Sequence, residues 1–286
     1  MTEKGYQFLK ETVAKYKSLF IMVVVGNDKS LQKDYELEII NFCIAEKINY
    51  TKKSDFKEVQ SEYAIAISWR WLINHPPEKL IVFHDSPLPR YRGFSPLVNA
   101  LINKEKEIGV TAIFGADDFD TGDIIAQSKS RITYPITIAS AIKIINNNYL
   151  SCAELVLNKL LLGDKIEAIK QVESEATYSV WRDENDYKID WSKSSVQIRR
   201  LIDAVGFPYK GASTSSEGIL IRILSAEEYT DVTIENRDCG KVLFVSNGTP
   251  VVICGKGLLK ITEAYVEVNG KLTSFLPVSK FRIRFI

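Results

Sequence analysis

The sequence predicts an α/β fold with a mostly parallel sheet, followed by a smaller antiparallel β domain. Three observations carry this. Apolar runs of strand length recur through the first half and alternate with helical patterns. The texture turns polar and charged after Gly163. The last third then shows hairpin chemistry. Continuous apolar strands separated by helices imply a sheet covered on both faces, since strands buried on both sides lose the alternation of a half-exposed sheet. A chain of 286 residues has room for one or two domains.

The first strand is Leu19–Val25, read as fully buried, and a helical face follows with Leu31, Tyr35, Ile39, Ile40, Cys43 and Ile44. Further strands are predicted at Tyr63–Ser68, Leu80–Phe83 and Val110–Phe114. Ala139–Leu161 is the longest helical pattern, with Ile142, Ile145, Leu150, Ala153, Val156 and Leu160 three to five residues apart. These elements define a first domain over 1–163. Residues 164–190 read as a linker, and 191–286 as the second domain. Within the latter, Asp190-Trp191-Ser192-Lys193 opens a short helix with Ser192 as a candidate cap. Val242–Ser246, Asn247-Gly248 and Pro250–Cys254 make the plainest hairpin, because Asn-Gly suits the positive φ angles of a type I′ turn. An open β barrel is the architecture this suggests.

Apolar content of 45% and charged content of 26% are ordinary for a globular protein. A net charge of +1 argues against a nucleic-acid platform, which needs a strongly cationic surface. No two of Cys43, Cys152, Cys239 and Cys254 sit at metal-finger or redox spacing, so no metal is expected and the cysteines read as free thiols in a reducing compartment. The first apolar run is about half the length of a spanning helix, and neither a signal peptide nor a membrane segment is read, so the expected location is the cytoplasm. Gly26-Asn27-Asp28 is a single-glycine turn, which argues against a dinucleotide cofactor or a P-loop.

The stretch richest in chemistry is His84-Asp85-Ser86-Pro87-Leu88-Pro89-Arg90-Tyr91-Arg92-Gly93. One of only two histidines stands directly after a buried strand and before a stiff loop with two prolines. A strand that delivers a titratable ring to its end is a common way to build a site on an α/β sheet. A second cluster follows, Gly109-Val110-Thr111 and then Asp117-Asp118-Phe119-Asp120-Thr121-Gly122-Asp123. The other histidine, His75, sits in an Asn-His-Pro-Pro turn and reads as structural. Asp-Thr-Gly taken alone is ordinary turn chemistry.

Together these segments resemble the formyltransferases that use 10-formyltetrahydrofolate, with their His-x-Ser-Leu-Leu-Pro-x-Tyr/Trp-Arg-Gly loop and later Gly-Val-Thr and Asp-x-Gly pair. Ile189-Asp190-Trp191-Ser192 is similar to the element that enters that family's second domain. The resemblance implies a Rossmann-like catalytic domain with a small β-barrel-like domain, and N10-formyltetrahydrofolate as formyl donor. It places His84 and Asp120 on the catalytic pair. Formyl transfer requires stabilisation of a tetrahedral oxyanion, loss of a proton from the attacking amine, and gain of one by the leaving nitrogen. An imidazole beside a carboxylate can serve all three.

By the same resemblance the pteridine is held by Arg70, Trp71, Leu72 and Ile73, and by the loop Ala116, Asp117, Asp118, Phe119 and Asp120. Arg92 and Tyr209 are expected at the acceptor. The chain departs from the family at Val82, where an asparagine normally donates to the oxyanion. Losing such a donor costs about 2.7–4 kcal/mol. Asn99 is the nearest amide that could replace it, and a backbone amide or a water could serve as well.

The segment Leu201–Ala212 is similar to one found in enzymes that formylate nucleotide-linked aminosugars. The His84 loop also resembles formyltransferases of pseudaminic-acid pathways, which act on a UDP-linked 4-amino-4,6-dideoxy sugar. The expected acceptor is therefore a nucleotide-sugar amine. The alternatives are methionyl-tRNA and a folate-binding relative that has lost turnover through Val82. The small β domain is also a candidate homodimer surface.

Overall fold

The computed structural model describes residues 2–27, 33–268 and 271–286. The chain divides into two compact units. The first takes in Met1–Leu97, Lys106–Ile132 and Ser140–Trp181, and the second Val98–Glu105, Thr133–Ala139 and Arg182–Ile286. Residues 164–181 of the expected linker thus belong with the first unit, and the remainder with the second.

The first unit opens with a helix that the hydrophobic patterning did not reveal. It is α1, Glu3–Tyr16, whose first turn is capped by the Thr2 side chain accepting from the Gly5 N–H. Phe8, Leu9, Val13 and Tyr16 form its buried face. Strand β1 is only Val23–Val25, not the whole apolar run, and Ile21 and Met22 are exposed. Helix α2 covers Glu36–Ala45, with Ile39, Ile40 and Cys43 buried as the pattern predicts; Leu31 and Asp28 lie outside the described residues. Strand β2, Tyr50–Lys52, pairs in parallel with β1 to make a separate two-stranded sheet.

The main sheet has four strands: β3 (Ala64–Ile67), β4 (Leu80–His84), β6 (Glu107–Phe114) and β7 (Ile124–Arg131), in the order β3-β4-β6-β7. A short β5, Arg92–Gly93, and helix α3, Pro96–Ile102, lie between β4 and β6 in the chain. The sheet is mixed rather than mostly parallel. β3 and β4 run parallel, but β6 is antiparallel to β4, and β7 is antiparallel to β6. The reason for the last pairing is the connection 115–123, too short for the crossover that a parallel neighbour needs. Periodicity could not reveal direction, because β6 is buried on both faces from Ile108 to Ile113. Helix α4, Ile138–Leu162, follows, with Ile142, Ile145, Tyr149, Cys152, Val156 and Leu157 buried. A short β8, Tyr178–Ser179, pairs in parallel with β5.

The second unit is built on helix α5 and an antiparallel sheet. Helix α5, Ser195–Val205, is capped by Ser194 in a capping box with Gln197, not by Ser192 as expected. The Ser192 hydroxyl bonds Asp190 instead. Strands β9 (Ala212–Ser216), β10 (Ile219–Tyr229), β11 (Val242–Ser246), β12 (Thr249–Ile253) and β13 (Leu258–Val268) run in the order β11-β12-β13-β10-β9, with β14 (Lys271–Ser274) also on β13. The predicted hairpin is present: Ser246 pairs Thr249 across Asn247 and Gly248, both at positive φ. Among the described residues this sheet does not close into a barrel.

Asp203 of α5 is pinned against Arg199, 3.6 Å away, and burial raises its carboxyl from the usual 3.8 to about 6. A folded value above the unfolded one means the folded state holds the proton more tightly, so stability falls as pH rises through that window. Asp203→Asn removes the titration. The melting temperature of the variant relative to wild type is expected to climb between about pH 4 and pH 6 and level off above.

Candidate functional site

The register of the main sheet sets the site. His84 ends β4 opposite Thr111 of β6, and Ile81 lies opposite Phe114. Thr111 is fully buried, and its hydroxyl fastens the loop after His84. It donates to the Ser86 carbonyl at 2.7 Å and accepts from the Leu88 N–H at 3.1 Å. Gln127 of β7 donates to the Leu88 carbonyl at 2.8 Å. The Gly-Val-Thr segment is therefore a clamp on the His84 loop.

His84 is buried. Its Nε2 donates to the Tyr91 carbonyl at 2.8 Å, because a carbonyl can only accept. Its Nδ1 faces Asp120 Oδ1 at 3.3 Å. With Nε2 engaged by the backbone, Nδ1 is the ring nitrogen turned towards the carboxylate.

The Asp120 carboxylate is fixed from its other oxygen by the Gly93 N–H, 2.8 Å from Oδ2. The Asp120 backbone sits in the left-handed region at φ 57°. Gln171 holds it there, donating to the Asp120 carbonyl at 2.7 Å and to the Gly122 carbonyl at 2.8 Å. Gly122 is required by space, since a Cβ would lie 1.8 Å from the Phe114 carbonyl oxygen. Gly93 has φ 96°, and a Cβ there would meet the Ser179 carbonyl oxygen at 2.6 Å.

Arg92, expected at the acceptor, is instead 0% exposed. Its five N–H donors are all used inside the protein. Nε and one terminal nitrogen reach Gln171 Oε1 at 3.1 and 3.0 Å. Both terminal nitrogens bond Glu173, each at 2.8 Å, and one also reaches the Tyr178 hydroxyl at 3.3 Å. The guanidinium beside Glu173 holds that carboxyl below its usual range, and Glu173 pushes Arg92 further up. Gln171 and Glu173, in the expected linker, gave no signal in the sequence.

The remaining expected residues are placed as follows. Trp69 and Trp71 meet edge to face at 4.8 Å, Arg70 lies 5.2 Å over the Trp71 ring, and Leu72 is 99% exposed. Ile73 is half-buried. The Trp69 indole N–H is buried and has no acceptor. Ala116, Asp117, Asp118 and Phe119 form an exposed loop, with the Phe119 ring 5.5 Å from Phe94. Val82 shares a face of β4 with His84, as strand alternation requires, and brings no donor. Asn99 falls in the second unit, where its side-chain oxygen accepts from Arg182 Nε at 3.2 Å and a terminal nitrogen at 2.6 Å. Tyr209 also belongs to the second unit, after α5. His75 bonds the Glu62 carbonyl. Among the described residues no group of three or more His, Cys, Asp or Glu could hold a metal ion.

An apolar cavity of about 480 Å³ lies elsewhere in the first unit, lined by α1, β1 and β3. It includes Trp69 and Ile73 but neither His84 nor Asp120. Geometry, not cavity size, identifies the candidate site.

Residues 20–146 match the formyl transferase family model, and residues 182–273 match the model for the formyl transferase C-terminal domain. A methionyl-tRNA formyltransferase of Halothermothrix orenii is 31% identical over 73% of this chain and 67% of its own length. The N-formyltransferase from Helicobacter canadensis, solved with folinic acid and dTDP-3-aminofucose, has a TM-score of 0.64 at 16% identity, covering 91% of this chain and 95% of that one. HypX from Aquifex aeolicus, solved with tetrahydrofolic acid, has a TM-score of 0.63 at 17% identity over 90% of this chain. This chain spans 45% of the length of HypX.

Arg92→Met leaves the Gln171–Glu173 segment without its clamp. It is expected to lower the melting temperature by about 5 °C or more and to raise proteolysis within 171–178. Limited digestion with mass spectrometry checks the second effect.

Proposed function

The chain belongs to the formyl transferase family, and from that premise we propose that it carries the formyl group of N10-formyltetrahydrofolate to the primary amine of a nucleotide-linked amino-deoxysugar. The observation that carries the reaction type is the His84 Nδ1–Asp120 Oδ1 pair at 3.3 Å. The amine attacks the formyl carbon and its carbonyl becomes an oxyanion. In this reading the imidazole and carboxylate stabilise that charge, and a proton passes from them to the leaving nitrogen of the folate as its bond to the formyl carbon breaks. The pair takes up the proton the amine loses. General acid–base catalysis of this kind contributes about 10²–10⁴-fold.

The chain fits the donor in one respect. The exposed Phe119 on the 116–119 loop offers an aromatic wall to a flat ring. Arg70, Trp71, Leu72, Ile73 and the loop Ala116–Asp120 are kept as proposed donor contacts. Arg92 is not kept, since its five N–H groups are already bonded.

A sugar acceptor is favoured over tRNA by charge. Phosphate contacts dominate nucleic-acid affinity, and a net charge of +1 gives no overall cationic field to favour them. The UDP-linked 4-amino-4,6-dideoxy sugar is the acceptor chemistry with which the panel begins. The tRNA reading is favoured by the sequence relatives, the one from Halothermothrix orenii among them, which are methionyl-tRNA formyltransferases. No described helix is long and apolar enough to cross a membrane, and three of the four free cysteines are buried, which suits a cytoplasmic enzyme.

Purified protein incubated with 10-formyltetrahydrofolate, UDP- and dTDP-linked aminosugars and charged initiator tRNA tests the assignment by mass spectrometry. Formylated sugar supports it. Formylated tRNA, with binding that falls steeply with salt, replaces it with the second reading. With the accepted substrate, His84→Ala and Asp120→Ala should each lower kcat by about 10²-fold or more while donor affinity changes little. Near-full activity in either variant would show that the roles are wrong.

A further inference from the structure

The face of β4 opposite His84 carries a second set of ionisable groups. Strand alternation sends Phe83 and Asp85 to the side away from His84. Phe83 lies between two helices: its ring stacks on Tyr149 of α4 at 5.7 Å and meets Phe8 of α1 edge to face at 5.8 Å. Asp85 is enclosed at the end of this aromatic row. Its carboxylate is ion-paired with Lys4 of α1 and accepts a hydrogen bond from the Tyr149 hydroxyl. The Lys4 and Asp85 side chains are only 12% and 16% exposed, and Lys4 also lies 6.0 Å over the Tyr149 ring. Burial first, and then the Asp85 charge, hold the Tyr149 phenol well above its ordinary value, so it stays a donor across the working range.

Helix α1 precedes residue 20, where the match to the family model begins. It is nonetheless bound to the unit at both ends. Lys4 reaches Asp85 at one, and at the other the Tyr16 hydroxyl donates to Asn158 of α4 at 2.8 Å. A buried carboxylate needs its partners, since an unpaired one costs several kcal/mol. This cluster is therefore a strong constraint on the residue that follows His84 in the chain.

We propose that Lys4 and Tyr149 are positioning residues for His84, acting through Asp85, so that the N-terminal helix is a working part of the active site. The proposal rests on His84 being the reacting imidazole. The mechanism is geometric. Asp85 is held from behind the sheet while Thr111 holds Ser86 and Leu88 from the neighbouring strand. Between them they fix the backbone on which the ring turns, and hence how squarely Nδ1 meets Asp120. A displacement of about 1 Å at such a group can cost about 10²-fold in rate.

The test uses the full chain. The protein has two histidines, so His75→Gln leaves the imidazole of His84 as the single ring signal. In that background the ¹⁵N signals of Nδ1 and Nε2 are recorded at pH 7 for Lys4→Met, Lys4→Arg, Tyr149→Phe and Asp85→Asn. Lys4→Met and Tyr149→Phe should shift the Nδ1 signal, and Lys4→Arg should return it towards wild type. Where turnover is measured with the accepted substrate, Lys4→Met should lower kcat about tenfold with donor KM within about threefold, and Lys4→Arg should recover most of it. The Lys4→Met/Asp85→Asn double variant should lose less than the product of the singles, as coupled partners do. Should Lys4→Met fail to fold, Tyr149→Phe, which removes one hydroxyl, carries the same measurement. Ring signals unchanged in Tyr149→Phe and in any folded Lys4→Met overturn the proposal, as does a Lys4→Arg variant no better than Lys4→Met. The ring signals do not depend on the acceptor, so failure here is distinct from failure of the aminosugar assignment.

Discussion

The Tyr91 carbonyl accepts a hydrogen bond from the Nε2–H of His84, and the orientation of the other edge of the ring follows from that bond. A ring committed to donate at Nε2 has only Nδ1 left for chemistry. Nδ1 lies 3.3 Å from Asp120 Oδ1. The backbone of one loop thus decides which ring nitrogen faces the Asp120 carboxylate. Tyr91 can present its carbonyl this way because its own backbone adopts φ 62°, and the Thr177 hydroxyl accepts from its N–H.

Around this ring the protein builds two braces of different character. In front, Arg92 gathers Gln171, Glu173 and Tyr178, and Gln171 in turn holds the Asp120 and Gly122 carbonyls. Arginine suits this place, since a planar fork of five donors can bond three side chains at once and a lysine cannot. Behind, an ion pair and a phenol enclose Asp85.

Much of this was legible before any coordinates. His84 and Asp120 stood out because their flanking residues carry a recognisable pattern, and the structure sets them side by side. The Asn247-Gly248 hairpin was legible because one dipeptide suits one turn type. Arg92 misled for a physical reason: an arginine in such a loop reads the same whether it faces a ligand or side chains of its own protein. Helix α1 was missed because its apolar residues are spread among lysines and glutamates, and its stability comes from packing that no local pattern displays. The direction of β6 was hidden because a strand buried on both faces has no polar side to mark its register.

Residue types and their short-range order determined the family of chemistry, the two-part layout, and the loops that carry the reacting groups, because those depend on turn geometry and side-chain identity. Only the tertiary structure decided which nitrogen of His84 meets the Tyr91 carbonyl, that Arg92 serves the scaffold, that Gln171 supports Asp120, and that Lys4 reaches Asp85. Each of these joins residues far apart in the chain, from 7 to 81 positions, across strands and helices. Such partnerships follow from how the elements pack, and packing is a property of the whole chain and not of any segment within it.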